Sequence, residues 1–344
     1  MRNSRLVILL FLVALASVLK AQDPQFSQFN ANPLFLNPAL TGFFDGDYRI
    51  IANYRSQWGS FTNTYRTAAA SAELSLFKAQ LKDDNFAVGL HFYNDVAGTA
   101  AFGTNQLTLS LGYRKQLGRK VKHTLGIGGQ FNLIGQRIDT EELIFDNQYN
   151  GIEVDPDILS GENVAGSSGL KPDASVGLLY QIMPNKFVNV YMGAAYAHIL
   201  QPKISLLSNA SYSLEPKYTF HAGGSFQATR SMYFLPSIMY AQQGPSRLAN
   251  FGTYLQFVME YRDDGDVAFA LGAWGRISNT TPDAVIVGAR LDFVRFMIGL
   301  SYDVNISKLN TVSDSRGAYE ISLIYSGLFT TVGKRRLSIP CPQL

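Results

Sequence analysis

From Asn105 to Arg114 the chain reads NQLTLSLGYR, an alternation of apolar and polar residues with period two. Leu107, Leu109, Leu111 and Tyr113 fall on one face of an extended strand, and Gln106, Thr108, Ser110, Gly112 and Arg114 on the other. The cause is simple: successive side chains of a strand point to opposite faces. A soluble sandwich strand carries the same pattern, so one copy decides nothing. The alternation recurs about fourteen times, in copies near ten residues that often end in an aromatic, which is the length of a tilted strand crossing a bilayer.

The predicted strands are Asp47–Trp58, Thr64–Leu76, Phe86–Asn94, Asn105–Gln116, His123–Gln136, Asp173–Ile182 and Phe187–Leu200, then Tyr218–Gln227, Met232–Gln242, Leu248–Tyr261, Val267–Ile277, Ala284–Phe293, Val294–Asn305 and Gly317–Phe329. Connections after even-numbered strands are mostly short: Met183–Lys186, Ala228–Ser231, Arg262–Asp266 and the Phe293/Val294 junction. Several after odd-numbered strands are long, namely Arg137–Pro172, Gln201–Lys217 and Ser307–Arg316. Outer-membrane barrels have short periplasmic turns and longer outer loops. The expectation is therefore an all-β fold, a single antiparallel transmembrane β-barrel over residues 47–329, multi-pass in the outer membrane, with both termini periplasmic.

The same alternation assigns faces. The lipid side takes Leu107, Leu109, Leu111 and Tyr113 on the fourth strand, Phe251, Leu255, Phe257 and Met259 on the tenth, and Tyr319, Ile321, Leu323 and Tyr325 on the last. The lumen takes Asn250, Tyr254, Gln256 and Glu260, with Glu320 and Ser322. Arg49, Arg55, Glu73, Arg114, Arg290, Asp292, Arg295 and Asp303 are also assigned to the lumen. A mixed interior of this kind suits either paired charges in a filled lumen or solvated charges in a channel, and the pattern does not choose.

Residues outside the alternation define three further segments. Residues 1–21 read as a signal peptide: Arg2 and Arg5, an apolar run Leu6–Leu19, and Ala21 as the cleavage position before Gln22. Residues 22–46 form a leader in which Pro24, Pro33 and Pro38 would each remove a ladder donor, so it is expected to pack rather than pair. Residues 330–344 form a basic periplasmic tail with Lys334, Arg335, Arg336, Pro340 and Pro342.

Composition sharpens this picture in two ways. Only 16% of residues are charged, against about 25% in soluble domains. No apolar run near 20 residues follows the signal, as expected when lipid-facing residues are spread one in two. The formal net charge of +3 comes from 29 basic and 26 acidic residues. Arg2, Arg5 and Lys20 lie in the signal with no acid, which leaves 26 of each sign. Nothing in this balance calls for a nucleic-acid partner. Cys341 is the single cysteine, so no internal disulfide framework exists.

Searches for chemistry return little. His91, His123, His198 and His221 are scattered over different strands without metal-ligand spacing. There is no GxSxG or HExxH motif, and Gly327–Lys334 has the wrong spacing for a phosphate loop. No catalytic residues and no cofactor are expected. Gly126, Gly128 and Gly129 are expected to relieve crowding in a curved wall. The acidic stretch Asp139–Glu162 contains a weak calcium-loop candidate in Asp146, Asn150 and Asp157, with two departures from the pattern, Gln148 at the third position and Asp157 where Glu is usual. The basic segment KQLGRKVKH, residues 115–123, is expected on the periplasmic side.

Two stretches carry a family resemblance. QDPQFSQFNANPLFLNPALTG followed by YRIIANYRSQWGSF resembles the opening of the PorP/SprF family, and YDVNISKLNTVSDSRGAYEISLIY with the late IPCPQL resembles its close. The final Leu344 departs, since an aromatic residue is expected there. The resemblance implies an outer-membrane barrel of the type IX secretion system. It would be associated with secretion and surface display of particular cargo, including gliding-motility adhesins that carry a C-terminal targeting domain. The residues matching the family's opening, Asn32, Pro33, Asn37, Pro38, Tyr54, Arg55 and Trp58, are the binding candidates it implies. Expected partners are the cargo or adhesin, other secretion components and outer-membrane lipid. A barrel alone would equally suit a general porin or solute transporter.

Overall fold

A computed structural model of the chain describes residues 22–59, 64–77, 81, 84–118, 121–155, 157–206, 212–262, 265–308 and 310–329. The predicted signal peptide and basic tail, including Cys341, lie outside the described residues.

Fourteen strands close into one antiparallel barrel: β1 (Tyr48–Gln57), β2 (Tyr65–Leu76), β3 (Asn85–Ala97), β4 (Phe102–Leu117), β5 (Lys122–Arg137), β6 (Lys171–Asn185), β7 (Val188–Ala197), β8 (Lys217–Gln227), β9 (Met232–Gln243), β10 (Ser246–Glu260), β11 (Val267–Ser278), β12 (Thr281–Phe293), β13 (Phe296–Asn305) and β14 (Arg316–Gly327). Each strand pairs with its sequence neighbours, and β1 closes on β14 from Tyr48 opposite Gly327 to Gln57 opposite Ala318. Closure leaves no strand edge unpaired in an apolar medium.

The faces follow the alternation. Leu107, Leu109 and Leu111 are exposed on the outer wall, as are Phe251, Leu255, Ile321 and Leu323, while Asn250, Gln256, Glu320 and Ser322 are buried inside. Two assignments are corrected. A register shift between Val258 and Glu260 in the β10–β11 ladder turns Glu260 outward, 4.0 Å from Arg262. A bulge adds one residue to the count and so reverses every face beyond it. Arg295 stands with Val294 in the two-residue turn between β12 and β13, beyond the reach of the alternation.

The ends of the barrel differ. One carries the long connections 138–170, 198–216 and 306–315, and the other carries the start of β1 and the end of β14. Length does not separate them fully, because Gly244–Pro245 and Asn279–Thr280 are two-residue turns at the long-connection end.

The leader lies inside the barrel. It contains a 3-10 turn Phe29–Ala31, a short helical turn Pro33–Leu36 and a second 3-10 turn Pro38–Leu40, the last two each starting on a proline at the first helical position. That placement suits proline, whose missing N–H is one of the unpaired donors of a helix start anyway. Leu34, Leu40 and Phe43 are fully buried. Leu40 and Phe43 join Tyr191, Met239, Tyr254 and Trp274 of the wall in a core that occupies the lumen. Each such burial contributes about 2 kcal/mol.

Its direction separates the two ends of the described chain. Asp23 contacts His198, Lys217 and Gln243 at the long-connection end, whereas Gly46 lies against Gly327 at the other. The described chain thus begins opposite the end at which β14 finishes. Strand parity places Tyr48 and Gly327 together, but a 25-residue leader that traverses the lumen carries its own start to the far mouth.

Candidate functional site

The leader is fixed to the wall at three levels. Near the long-connection mouth, Asp23 accepts from Lys217 Nζ at 3.0 Å, from Gln243 Nε2 at 3.2 Å and from His198 Nε2 at 3.0 Å. Its own amide donates to Gln243 Oε1 at 2.9 Å. His198 Nδ1 meets Asp173 at 2.8 Å, so the imidazole lies between two carboxylates. Burial works against its charge, but Asp23 and Asp173 outweigh that and push its pKa up to about 9. Burial likewise disfavours the Asp23 carboxylate, yet Lys217 and His198 hold it well below the usual range. Lys217 also stands 4.4 Å over the ring of Phe35.

One level deeper, Ser27 enters a buried charge cluster. Its amide donates to Glu320 at 2.7 Å and its hydroxyl to Asp303 at 2.8 Å. Arg55 reaches Ser27 Oγ, Asp303 at 2.9 Å and Glu320 at 3.4 Å. Arg276 reaches Asp303 at 2.7 Å and Asp283 at 2.5 Å. Asp303 is 1% exposed and Glu320 likewise. The mixed charges of the interior are therefore paired with one another and with the leader. Buried ion pairs require this, since a lone charge away from water is strongly unfavourable.

The third level is steric. A Cβ on Gly128 would lie 2.2 Å from the carbonyl carbon of Pro38, and one on Gly177 would fall 1.9 Å from Asn37 Oδ1. These glycines do more than ease curvature in the wall: they let the leader backbone touch it. Gly129, by contrast, has nothing within 4 Å of such a Cβ. Asn37 uses the closeness fully. Its Nδ2 donates to the carbonyl of Leu178 at 3.0 Å, and its Oδ1 accepts the amide of Ala39 at 2.8 Å. At the bottom, Glu73 accepts from the Gly42 amide at 2.8 Å and from Arg49 at 2.7 Å.

The seven residues predicted for binding do not form one surface. Asn32, Pro33, Asn37 and Pro38 are buried in the leader, and Arg55 faces the lumen. Tyr54 is on the outer wall beside Tyr319, and Trp58 follows β1 with its ring edge-on to Tyr65 at 5.4 Å. Sequence reasoning missed Asp23, Ser27, Arg276 and Lys217 and treated His198 as an ordinary strand residue. No local motif marks them, because their partners lie up to 293 residues away. In the acidic loop, Asp146 starts a 3-10 turn and Asn150 Oδ1 accepts the amides of Ile152 and Glu153. Among the described residues no group of three or more His, Cys, Asp or Glu side chains is placed to hold a metal.

A cleft open to solvent lies between the leader and the wall of β8–β10 near Asp23. Phe26, Phe29, Met239 and Leu248 supply its apolar lining, and Lys217, Gln243 and Asn32 its polar one.

Comparison with known proteins places this architecture. Among solved structures, the toluene transporter TbuX of Ralstonia pickettii is similar at 10% identity and TM-score 0.44, over 86% of this chain and 92% of that one. The toluene transporter TodX of Pseudomonas putida is similar at 12% identity and TM-score 0.44, over 85% and 91%. BamA of Haemophilus ducreyi lacking POTRA domains 1–3 is similar at 8% identity and TM-score 0.39, over 81% and 70%. These likenesses concern the barrel alone. No curated protein matches the chain. The family model described as type IX secretion system membrane protein PorP/SprF matches residues 18–325. With the leader, β1 to β13 and β14 as far as Tyr325 inside that match, the chain belongs to the PorP/SprF family of type IX secretion system membrane proteins.

Proposed function

We propose that this barrel is a non-enzymatic partner of type IX secretion, which binds a specific surface cargo or adhesin through the cargo's C-terminal targeting domain and supports its export or anchoring. The observation that carries this reading is the filled lumen. A leader pinned by charge near one mouth and by close packing deeper in leaves the connections and the mouth as the surfaces for a partner. Edge-strand addition needs a free edge, which closure removes.

In this reading the end bearing connections 138–170 and 198–216 faces the cell exterior, residues 1–21 are a cleaved signal peptide, and β14 ends in the periplasm. Connection 138–170 is the largest surface at that end. It exposes Ile144, Ile152, Leu159 and Leu170, of which Leu159 is 91% exposed. Four aliphatic side chains held in water on one loop favour a protein partner.

Purification from the native outer membrane in mild detergent, followed by identification of the companions, tests the reading. The expected result is one large surface protein held through its C-terminal domain. A barrel without companions that conducts ions in planar bilayers would overturn it in favour of a porin.

A further inference from the structure

Asp23 sits in a ready-made carboxylate socket. Its carboxylate is received by three side chains from the wall: Lys217 of β8, Gln243 of β9 and His198 just after β7. Asp173 of β6 backs His198 from the other side. With Asp23 in place the two cations face two carboxylates. With Asp23 withdrawn, Lys217 loses its carboxylate partner in a site where its side chain is 13% exposed and that of His198 3%. Another carboxylate restores the balance, whereas a neutral or cationic group does not. The occupant supplied by the chain itself, Asp23, lies beside the exposed Gln22.

The adjoining cavity adds two requirements. Its walls at Phe26, Phe29, Met239 and Leu248 are apolar. Asn32 also lines it and is 1% exposed, with neither its Nδ2 nor its Oδ1 hydrogen-bonded. A buried amide with a free donor and a free acceptor is disfavoured unless something pairs with both. A peptide unit, with one C=O and one N–H, does so. An acyl chain would fill the apolar walls but leave the amide unpaired.

We propose that the socket and cavity together receive the C-terminal residue of a peptide. Its carboxylate replaces that of Asp23 against Lys217, His198 and Gln243, its apolar side chain lies among Phe26, Phe29 and Met239, and its last peptide unit pairs with Asn32. The leader's Asp23 is then a tethered competitor, which holds the site neutral until a partner exchanges with it. This deepens the reading above, since it assigns the barrel's mouth to the terminus of a bound cargo, and it rests on that reading.

The test uses the full barrel in detergent and a fluorescein-labelled hexapeptide ending in phenylalanine, followed by fluorescence anisotropy. The free acid binds saturably, and C-terminal amidation weakens it at least about thirtyfold, as loss of one side of a buried charge pair does. Lys217→Met produces a similar loss, and Asn32→Ala a loss of about tenfold. Asp23→Asn removes the competitor and tightens binding. This gain keeps the test decisive even if Lys217→Met disturbs folding, which heat-modifiable gel mobility would reveal. Equal binding of acid and amide, displacement of the peptide by decanoate at equal concentration, or no gain with Asp23→Asn would overturn the proposal. Companion purification separates this proposal from the broader one. If cargo stays bound to folded Lys217→Met at the wild-type level, the socket is not where it docks and the cargo reading stands. If wild type brings no cargo yet distinguishes acid from amide, the site stands and the cargo reading falls.

Discussion

The two halves of the leader are held in the same lumen by different physics. Residues 22–31 are held mainly by charge: Asp23 by Lys217 and His198, and Ser27 by Glu320, Asp303 and Arg55. Residues 33–46 are held mainly by shape, with Pro38 against Gly128, Asn37 against Gly177 and Phe43 fully buried. Ionic contacts can be exchanged for equivalent ones or titrated away. A backbone seated on glycine can only be displaced. The first half is therefore the responsive part of the plug, and the second is its foundation.

The largest expected effect breaks the first half alone. Asp303→Asn leaves Arg55 and Arg276 short of their shared carboxylate, at a cost of about 3–5 kcal/mol in urea unfolding. Hydrogen exchange should accelerate at residues 22–31 and change little at 33–46. Uniform acceleration would show that the halves are coupled.

A pH titration sharpens the same distinction without mutation. His198 is packed against Asp23 of the leader and Asp173 of β6, with Lys217 of β8 sharing Asp23. Its pKa is raised from 6.5 to about 9, so its stabilisation is complete below about pH 6.5 and is lost as pH rises through about 9. The loss is on the order of 3 kcal/mol. The upper half should loosen across that window in wild type, and the pH step should vanish in His198→Gln.

Gly128→Val addresses the second half. The added side chain meets Pro38 and Ala39, and overpacking of this sort costs about 1–3 kcal/mol. The expected outcome is faster exchange at 33–46 and the appearance of ion conductance in planar bilayers as the foundation lifts. The smallest effect is the control. Lys115 pairs with Asp84 at 3.3 Å from a side chain 57% exposed. Lys115→Ala should change stability by less than about 0.5 kcal/mol and leave exchange of the leader untouched.

Much of the architecture was legible because a barrel strand advertises itself one residue in two. Leu107, Leu109 and Leu111 had to face outward and Asn250 and Gln256 inward whatever they touched, and they do. Asn37 and Pro38 stood out through the resemblance of the leader to a family's opening, although that resemblance said nothing of Gly177 or Gly128 opposite. Glu260 failed because a bulge is a property of two strands in register, invisible to the periodicity of one. Lys217 and His198 were passed over for a related reason: the carboxylate that gives them meaning belongs to residue 23.

The sequence by itself determined a closed fourteen-stranded membrane barrel with a proline-punctuated leader, because alternation, strand length and proline's missing donor act locally. Only the tertiary structure decided that the leader fills the lumen from one mouth to the other, that the interior charges are paired rather than solvated, and that Asp23 lies in a cationic socket at the far end. Those outcomes depend on which distant groups closure brings within about 3 Å, the range of a hydrogen bond. No periodicity along a single chain carries that information.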